Sequence, residues 1–121
     1  MSGDRNREAM SRTLDQYFRA LAAGDLSGIP FTSDVQFQSP LNPKEPVEGV
    51  DAVRKVLSTF GEHIKRIDIH DKVIEGPLAC VTFTWTAVSG TEIAMCDYFR
   101  FEGDRIAILR PYFDTRLLTG E

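Results

Sequence analysis

Between Leu78 and Phe101 the side chains alternate with a period of two, which restricts this stretch to a pair of β-strands. Val81, Phe83, Trp85 and Ala87 fall on one side of an extended chain, and Thr82, Thr84 and Thr86 on the other. Beyond Ser89-Gly90-Thr91 the pattern resumes, and Ile93, Met95, Phe99 and Phe101 share one face. Turn signals on both sides, the second at Glu102-Gly103-Asp104, predict an antiparallel hairpin with one apolar face. Asp97 stands in the middle of that apolar row. A buried carboxylate must be protonated, paired or hydrogen-bonded, because an isolated charge in an apolar medium is very costly. The functional reading turns on what Asp97 does there.

The rest of the chain supplies what covers this face. Met10, Leu14, Tyr17, Phe18 and Leu21 recur at spacings of three and four, predicting a helix over 7–23 that Gly24 ends. A buried Tyr17 needs a partner for its hydroxyl. A short strand over 34–39 places Val35 and Phe37 on one face. Pro40, Pro43 and Pro46 then exclude sheet interior. A second helix over 51–60 buries Val53, Val56, Leu57 and Phe60 and ends at Gly61. Strands over 64–75, 78–89, 93–101 and 105–113 complete the chain. Helices before long strands predict an α+β fold, with the helices on one face of a curved antiparallel sheet. The 121 residues make a single domain, with residues 1–6 expected to be disordered.

Register follows from loop length. A three-residue Ser89-Gly90-Thr91 loop places Phe83 opposite Asp97 and Trp85 opposite Met95. The last hairpin has two solutions. A two-residue Gly103-Asp104 turn buries Ile108, Arg110 and Tyr112; a three-residue Glu102-Gly103-Asp104 loop buries Leu109, Pro111 and Phe113. The outer sheet face then shows Thr82, Thr84, Thr86 and Tyr98, with Ile108 and Tyr112 added by the second solution. That much aromatic and β-branched surface predicts a homodimer built sheet to sheet.

Charge and motifs exclude several classes. The net charge is −4 and no basic run exceeds Lys65-Arg66, so no nucleic-acid partner is expected. No apolar run reaches transmembrane length, and the polar start, Met1 to Arg7, has no signal-peptide core, so no membrane association is expected. Cys80 and Cys96 fit reduced residues in a cytoplasmic protein. Asp68, His70 and Asp71 lie close in sequence but lack further ligands, so no metal site is expected. His63 stands alone. No phosphate loop, nucleophile elbow or Cys-x-x-Cys pair occurs, so no cofactor is expected.

Four stretches carry a family resemblance: Gln16-Tyr17-Phe18 to Ala23-Gly24-Asp25, Val47 to Val53, Asp97-Tyr98-Phe99-Arg100-Phe101, and Arg110-Pro111-Tyr112-Phe113-Asp114. In wording and element order the chain resembles the nuclear transport factor 2-like superfamily, most of all its SnoaL-like and ketosteroid-isomerase-like branch. The resemblance implies a cone-shaped curved antiparallel (mixed) sheet wrapped around N-terminal helices, the ketosteroid-isomerase-like or cystatin-like architecture. Tyr17 matches the oxyanion-hole tyrosine of those isomerases, and Asp97 their protonated aspartic acid. Such an acid stays neutral in an apolar site and donates a hydrogen bond. Their general-base aspartate is replaced here by Ser39, which has no base of its own. The side-chain set of limonene epoxide hydrolases is absent: the matching stretches hold Phe37 and Ser39, then residues 81–85, then Pro111.

The expected catalytic pair is Tyr17 and Asp97. The expected substrate-binding residues are Ser39, Phe60, Phe83, Trp85, Met95, Phe99 and Phe113, around a small apolar ligand. Asp114 reads as a cap or surface residue. Two functions fit. One is an isomerase, cyclase or lyase acting on an apolar carbonyl compound. The other is a non-catalytic ligand-binding or dimerisation module.

Overall fold

The structure, a computed structural model, describes residues 2–114 and 116. Helix α1 (Ser2–Ala23) leads to strand β1 (Phe31–Phe37), the two-residue strand β2 (Val47–Glu48) and helix α2 (Val50–Gly61). Four long strands follow: β3 (Ile64–Glu75), β4 (Leu78–Ala87), β5 (Glu92–Glu102) and β6 (Arg105–Tyr112). They form one six-stranded sheet in the order β2-β1-β6-β5-β4-β3. Every neighbouring pair is antiparallel except β1 and β6, which run parallel. The expected α+β class and mixed sheet are therefore present.

The α1 stripe is buried as its spacing requires, with Met10, Leu14, Tyr17, Phe18 and Leu21 all facing the core. The helix starts at Ser2 rather than Arg7, so residues 2–6, expected outside the fold, continue it; Met1 lies outside the described residues. Those first residues are polar and carry no apolar period, so the periodicity that reveals the helix could not reveal its beginning. Thr13 Oγ1 donates to the Asp104 carbonyl at 2.9 Å, tying α1 to the turn between β5 and β6. Helix α2 buries Val53 and Leu57 and leaves Val56 and Phe60 half-buried. The two helices approach closely at Gly61, where an added Cβ would lie 3.2 Å from the Leu21 carbonyl oxygen.

On β5, Ile93, Met95, Asp97, Phe99 and Phe101 are all buried, and on β4 so are Val81, Phe83 and Trp85. The faces are as the alternation requires, but the register differs from expectation. Val81, not Phe83, lies opposite Asp97; Phe83 lies opposite Met95, and Trp85 opposite Ile93. The loop still has three residues, but they are Val88-Ser89-Gly90, closed by the Ala87 N–H donating to the Thr91 carbonyl at 2.8 Å. The reason is local. In a three-residue hairpin loop the left-handed residue comes last, after a type I turn. Gly90, with φ of 95°, takes that last position rather than the middle one. A shift of two residues preserves which side chains face inward.

At the last hairpin each of the two solutions is half realised. The turn is Gly103-Asp104, flanked by the Glu102–Arg105 pair. A bulge then interrupts the β5–β6 ladder between Arg100 and Phe101, where Phe101 pairs with Ile106 but Arg100 with Ile108. The extra residue, Ala107, flips the remaining parity. Ile106, Leu109 and Pro111 consequently face the core, while Arg110 and Tyr112 face outward. Pro111 costs no ladder bond to β1, because that pairing ends at Phe37 and Leu109.

Gly90→Ala tests the loop assignment. Nothing lies within 4 Å of an added Cβ, so the cost is conformational alone. Urea unfolding is expected to show a loss of about 1–2 kcal/mol for Ala, and a smaller one for Gly90→Asn.

Candidate active site

The helices and the concave face of the sheet enclose one apolar cleft. Tyr17 and Leu21, one turn apart on α1, form one wall with Leu57 and Phe60 of α2. Phe83 and Trp85 of β4 and Met95 and Asp97 of β5 form the opposite wall. Phe37, Ile64, Leu109, Pro111 and Phe113 complete it. Phe60, Ile64 and Phe113 are half-buried and make the rim, whereas Tyr17 and Asp97 are only 2% and 3% exposed. The cleft encloses about 430 Å³ of atom-free space including its open mouth, yet only about 30 Å³ admits the centre of a water molecule. That is room for one or two waters. An organic ligand therefore enters only if the rim side chains swing aside.

Asp97 is placed by its strand neighbours, Val81 on β4 and Pro111 on β6. Its Oδ1 is buried with no hydrogen-bond partner among the described residues. Desolvation raises its pKa to about 8, so the carboxyl is mostly protonated at neutral pH. Burial pushes the Tyr17 phenol well above its ordinary value as well, and the neighbouring Asp97 charge adds to the effect. Tyr17 is locked edge-on against Phe18 and Phe99, with ring centroids 4.9 and 5.3 Å away. The cleft thus holds two neutral oxygen acids on a wall of apolar side chains. Such groups can donate to a carbonyl or enolate oxygen, and an apolar setting strengthens those bonds.

Of the residues expected from the sequence, Tyr17, Asp97, Phe60, Phe83, Trp85, Met95 and Phe113 line this cleft. Two do not. Phe99 shares the face of Asp97 but is fully buried against Tyr17, beyond the floor of the cleft. Ser39 lies outside, in a surface hollow that shares only Pro111 with the cleft. Alternation along β1 stops at Phe37, and Gln38 is held outward by Arg110 Nε at 2.6 Å. The Ser39 hydroxyl instead accepts from the Leu41 N–H at 3.1 Å, capping the proline loop. Sequence reasoning missed Leu21, Phe37, Leu57, Ile64, Leu109 and Pro111 as lining residues. Periodicity had put Leu21, Phe37 and Leu57 on buried faces, with Leu21 one turn after Tyr17, but it could not tell cleft wall from sealed core.

The remaining polar residues are engaged elsewhere. Asp68 pairs with Arg66 at 2.8 Å, and His70 Nε2 lies 2.7 Å from the Thr84 hydroxyl on the outer face. Asp114 pairs with Arg116 at 2.7 Å on the surface, as expected of a cap residue. Among the described residues no cluster of three or more His, Cys, Asp or Glu is placed to hold a metal ion, and no helix is long and apolar enough to cross a membrane.

A family model described as "Domain of unknown function (DUF4904)" matches residues 5–121. Among curated proteins, none matches the sequence closely enough to count as a relative. Solved structures share the fold. A steroid delta-isomerase from Pseudomonas aeruginosa superposes with a TM-score of 0.75 at 24% identity, over 88% of this chain and 80% of that one. A protein from Jannaschia sp. CCS1 named as SnoaL-like polyketide cyclase gives 0.77 at 14% identity, over 93% and 90%. An NTF2-like protein of unknown function from Cytophaga hutchinsonii gives 0.76 at 19% identity, over 91% and 94%. At these identities the likeness establishes the nuclear transport factor 2-like fold and leaves the chemistry to the site itself.

The Asp97 environment has a consequence for stability. Its folded pKa lies above the unfolded value, so the stability it contributes is complete below about 3.8 and is lost as pH rises through about 8. Across that window the slope is expected to reach about 1.4 kcal/mol per pH unit. Urea unfolding at pH 5 and 7.5 checks it. Wild type should weaken at the higher pH, and Asp97→Asn should remove most of that difference.

Proposed function

We infer a function for a chain that belongs to the family described as "Domain of unknown function (DUF4904)", and propose that it is a small-molecule pocket protein for an apolar carbonyl compound. Tyr17 and Asp97 hold the ligand's oxygen by donating hydrogen bonds, and the cleft walls hold its apolar body. One observation carries this reading: a carboxyl buried among apolar residues, one oxygen of it without a partner among the described residues, lines a cleft together with a buried phenol. Burying such a group without a partner costs about 1–3 kcal/mol. A ligand oxygen recovers that cost when it binds.

The reaction class we propose is enolisation-type chemistry, as in an isomerase, cyclase or lyase. Charge developing on the carbonyl oxygen would be stabilised by the two donors. Among the described residues no Lys, His, Glu or second Asp lines the cleft. Ser39, where the isomerases carry their base, does not line it either. A proton acceptor must then be a water or the substrate itself. The same lack of a dedicated base favours a second reading, a binding or dimerisation module that uses the cleft without chemistry.

We also propose a homodimer through the outer face of the sheet. Tyr112 is 50% exposed there, and Tyr98 lies under the Arg110 guanidinium, 4.9 Å from the ring centroid. Sedimentation at micromolar concentration should give twice the chain mass; a single-chain mass overturns the dimer.

The ligand reading is tested with 2-naphthol, whose ionised form mimics an enolate and reports its own binding by fluorescence. Wild type should bind it, and Tyr17→Phe and Asp97→Asn should each weaken binding about tenfold or more. Equal affinity in all three overturns the proposed donors. Deuterium uptake at the α-carbon of 2-tetralone, followed by NMR, separates the two readings. Uptake accelerated by wild type but not by the double variant supports enolisation, and binding without acceleration supports the module.

A further inference from the structure

Asp97 is not the only buried polar group on the cleft wall that lacks a partner. Trp85 lines the same cleft, is 5% exposed, and its Nε1–H has no acceptor among the described residues. An indole N–H only donates, and a buried tryptophan normally finds an acceptor for it. Trp85 is held in place by Phe60, which meets it edge-on at 6.1 Å. The β4–β5 register sets its distance from Asp97. Asp97 lies opposite Val81, Met95 opposite Phe83, and Ile93 opposite Trp85. Four residues therefore separate the two levels, on the order of 13 Å of strand. Between them the wall presents only Phe83 and Met95.

We propose that Trp85 Nε1–H is a second ligand-anchoring donor, and that the cleft takes an elongated, flat apolar molecule with two oxygen acceptors at opposite ends. One end carries the carbonyl or enol oxygen received by Tyr17 and Asp97. The other carries an acceptor, such as an ether or ketone oxygen, received by Trp85. The apolar body between them lies over Phe83 and Met95. A molecule with a single oxygen would leave the indole N–H buried and unpaired, and that penalty becomes selectivity between otherwise similar ligands. The inference rests on the ligand reading proposed above, and it assigns to Trp85 a role in choosing the ligand rather than in any reaction.

Trp85 is the only tryptophan in the chain, so the indole N–H gives a single cross-peak in a 15N–1H correlation spectrum. The experiment compares 2-naphthol with 6-methoxy-2-naphthol, which adds one acceptor-only oxygen at the far end. The methoxy compound is expected to bind wild type about three- to tenfold more tightly and to move the indole cross-peak downfield. 2-Naphthol should leave the proton shift close to its free value. Trp85→Phe should abolish the preference, so that the two compounds bind the variant with equal affinity, whatever the lost cleft wall costs both of them. If Trp85→Phe does not fold, replacing Trp85 biosynthetically with the benzothienyl analogue, which has the same shape and no N–H, makes the same test. Equal affinities with an unmoved cross-peak, while both still depend on Asp97, overturn the role of Trp85 and leave the Tyr17–Asp97 reading standing. Binding of neither compound to wild type overturns both.

Discussion

A carboxyl group in the middle of an apolar strand face sets the terms for this structure. Asp97 has Met95 and Phe99 on its own strand face, Val81 and Pro111 across from it, and α1 above. None of these offers a positive charge, and its Oδ1 has no hydrogen-bond partner among the described residues. Desolvation is therefore unopposed, and the group keeps its proton well above the ordinary carboxylate range. A neutral acid can sit in this place at a tolerable cost where an anion could not. The fold thus tolerates Asp97 in one protonation state, and that state is also the one able to donate to a ligand oxygen.

The cleft beside it results from curvature, and the curvature has identifiable sources. Bulges interrupt the ladder in β3 and between β5 and β6, and the β1–β6 pairing shifts register between Phe31 and Gln36. Each adds local twist and bends the sheet around the helices. The bulge at Ala107 also decides what the far wall is made of. Without it, Ile108 and Arg110 would face the cone and place a guanidinium beside Asp97. With it, Leu109 and Pro111 face inward, and Arg110 lies outside against Tyr98 and Gln38. The apolar surroundings that keep Asp97 neutral depend on one extra residue in a neighbouring strand.

The departure at Ser39 goes beyond the loss of a carboxylate. In the expected pattern the residue before Pro40 reaches the reacting centre. Here β1 ends two residues earlier, and the serine hydroxyl is spent on the loop backbone. Among the described residues the cleft is left with three polar side chains, Tyr17, Trp85 and Asp97, all of them neutral donors near pH 7. Such a set is suited to receiving oxygens. Removing a proton is a poorer match for donors alone.

Much of this was legible in the sequence because it is local. Period two along residues 78–101 identified the buried faces of β4 and β5, including the position of Asp97. Spacings of three and four identified the buried stripe of α1, including Tyr17. Which residues pair across strands was less accessible. The left-handed requirement at Gly90 shifted one register by two residues, and the Ala107 bulge reversed the parity of half a strand. Neither changes composition or period, so neither leaves a trace in the alternation. Site membership was the least accessible. Phe99 and Met95 are equivalent by period, yet one is sealed behind Tyr17 and the other lines the cleft. Periodicity tells which side of a strand a residue occupies; only the packing of α1 and α2 over the sheet decides how far along that side the hollow extends.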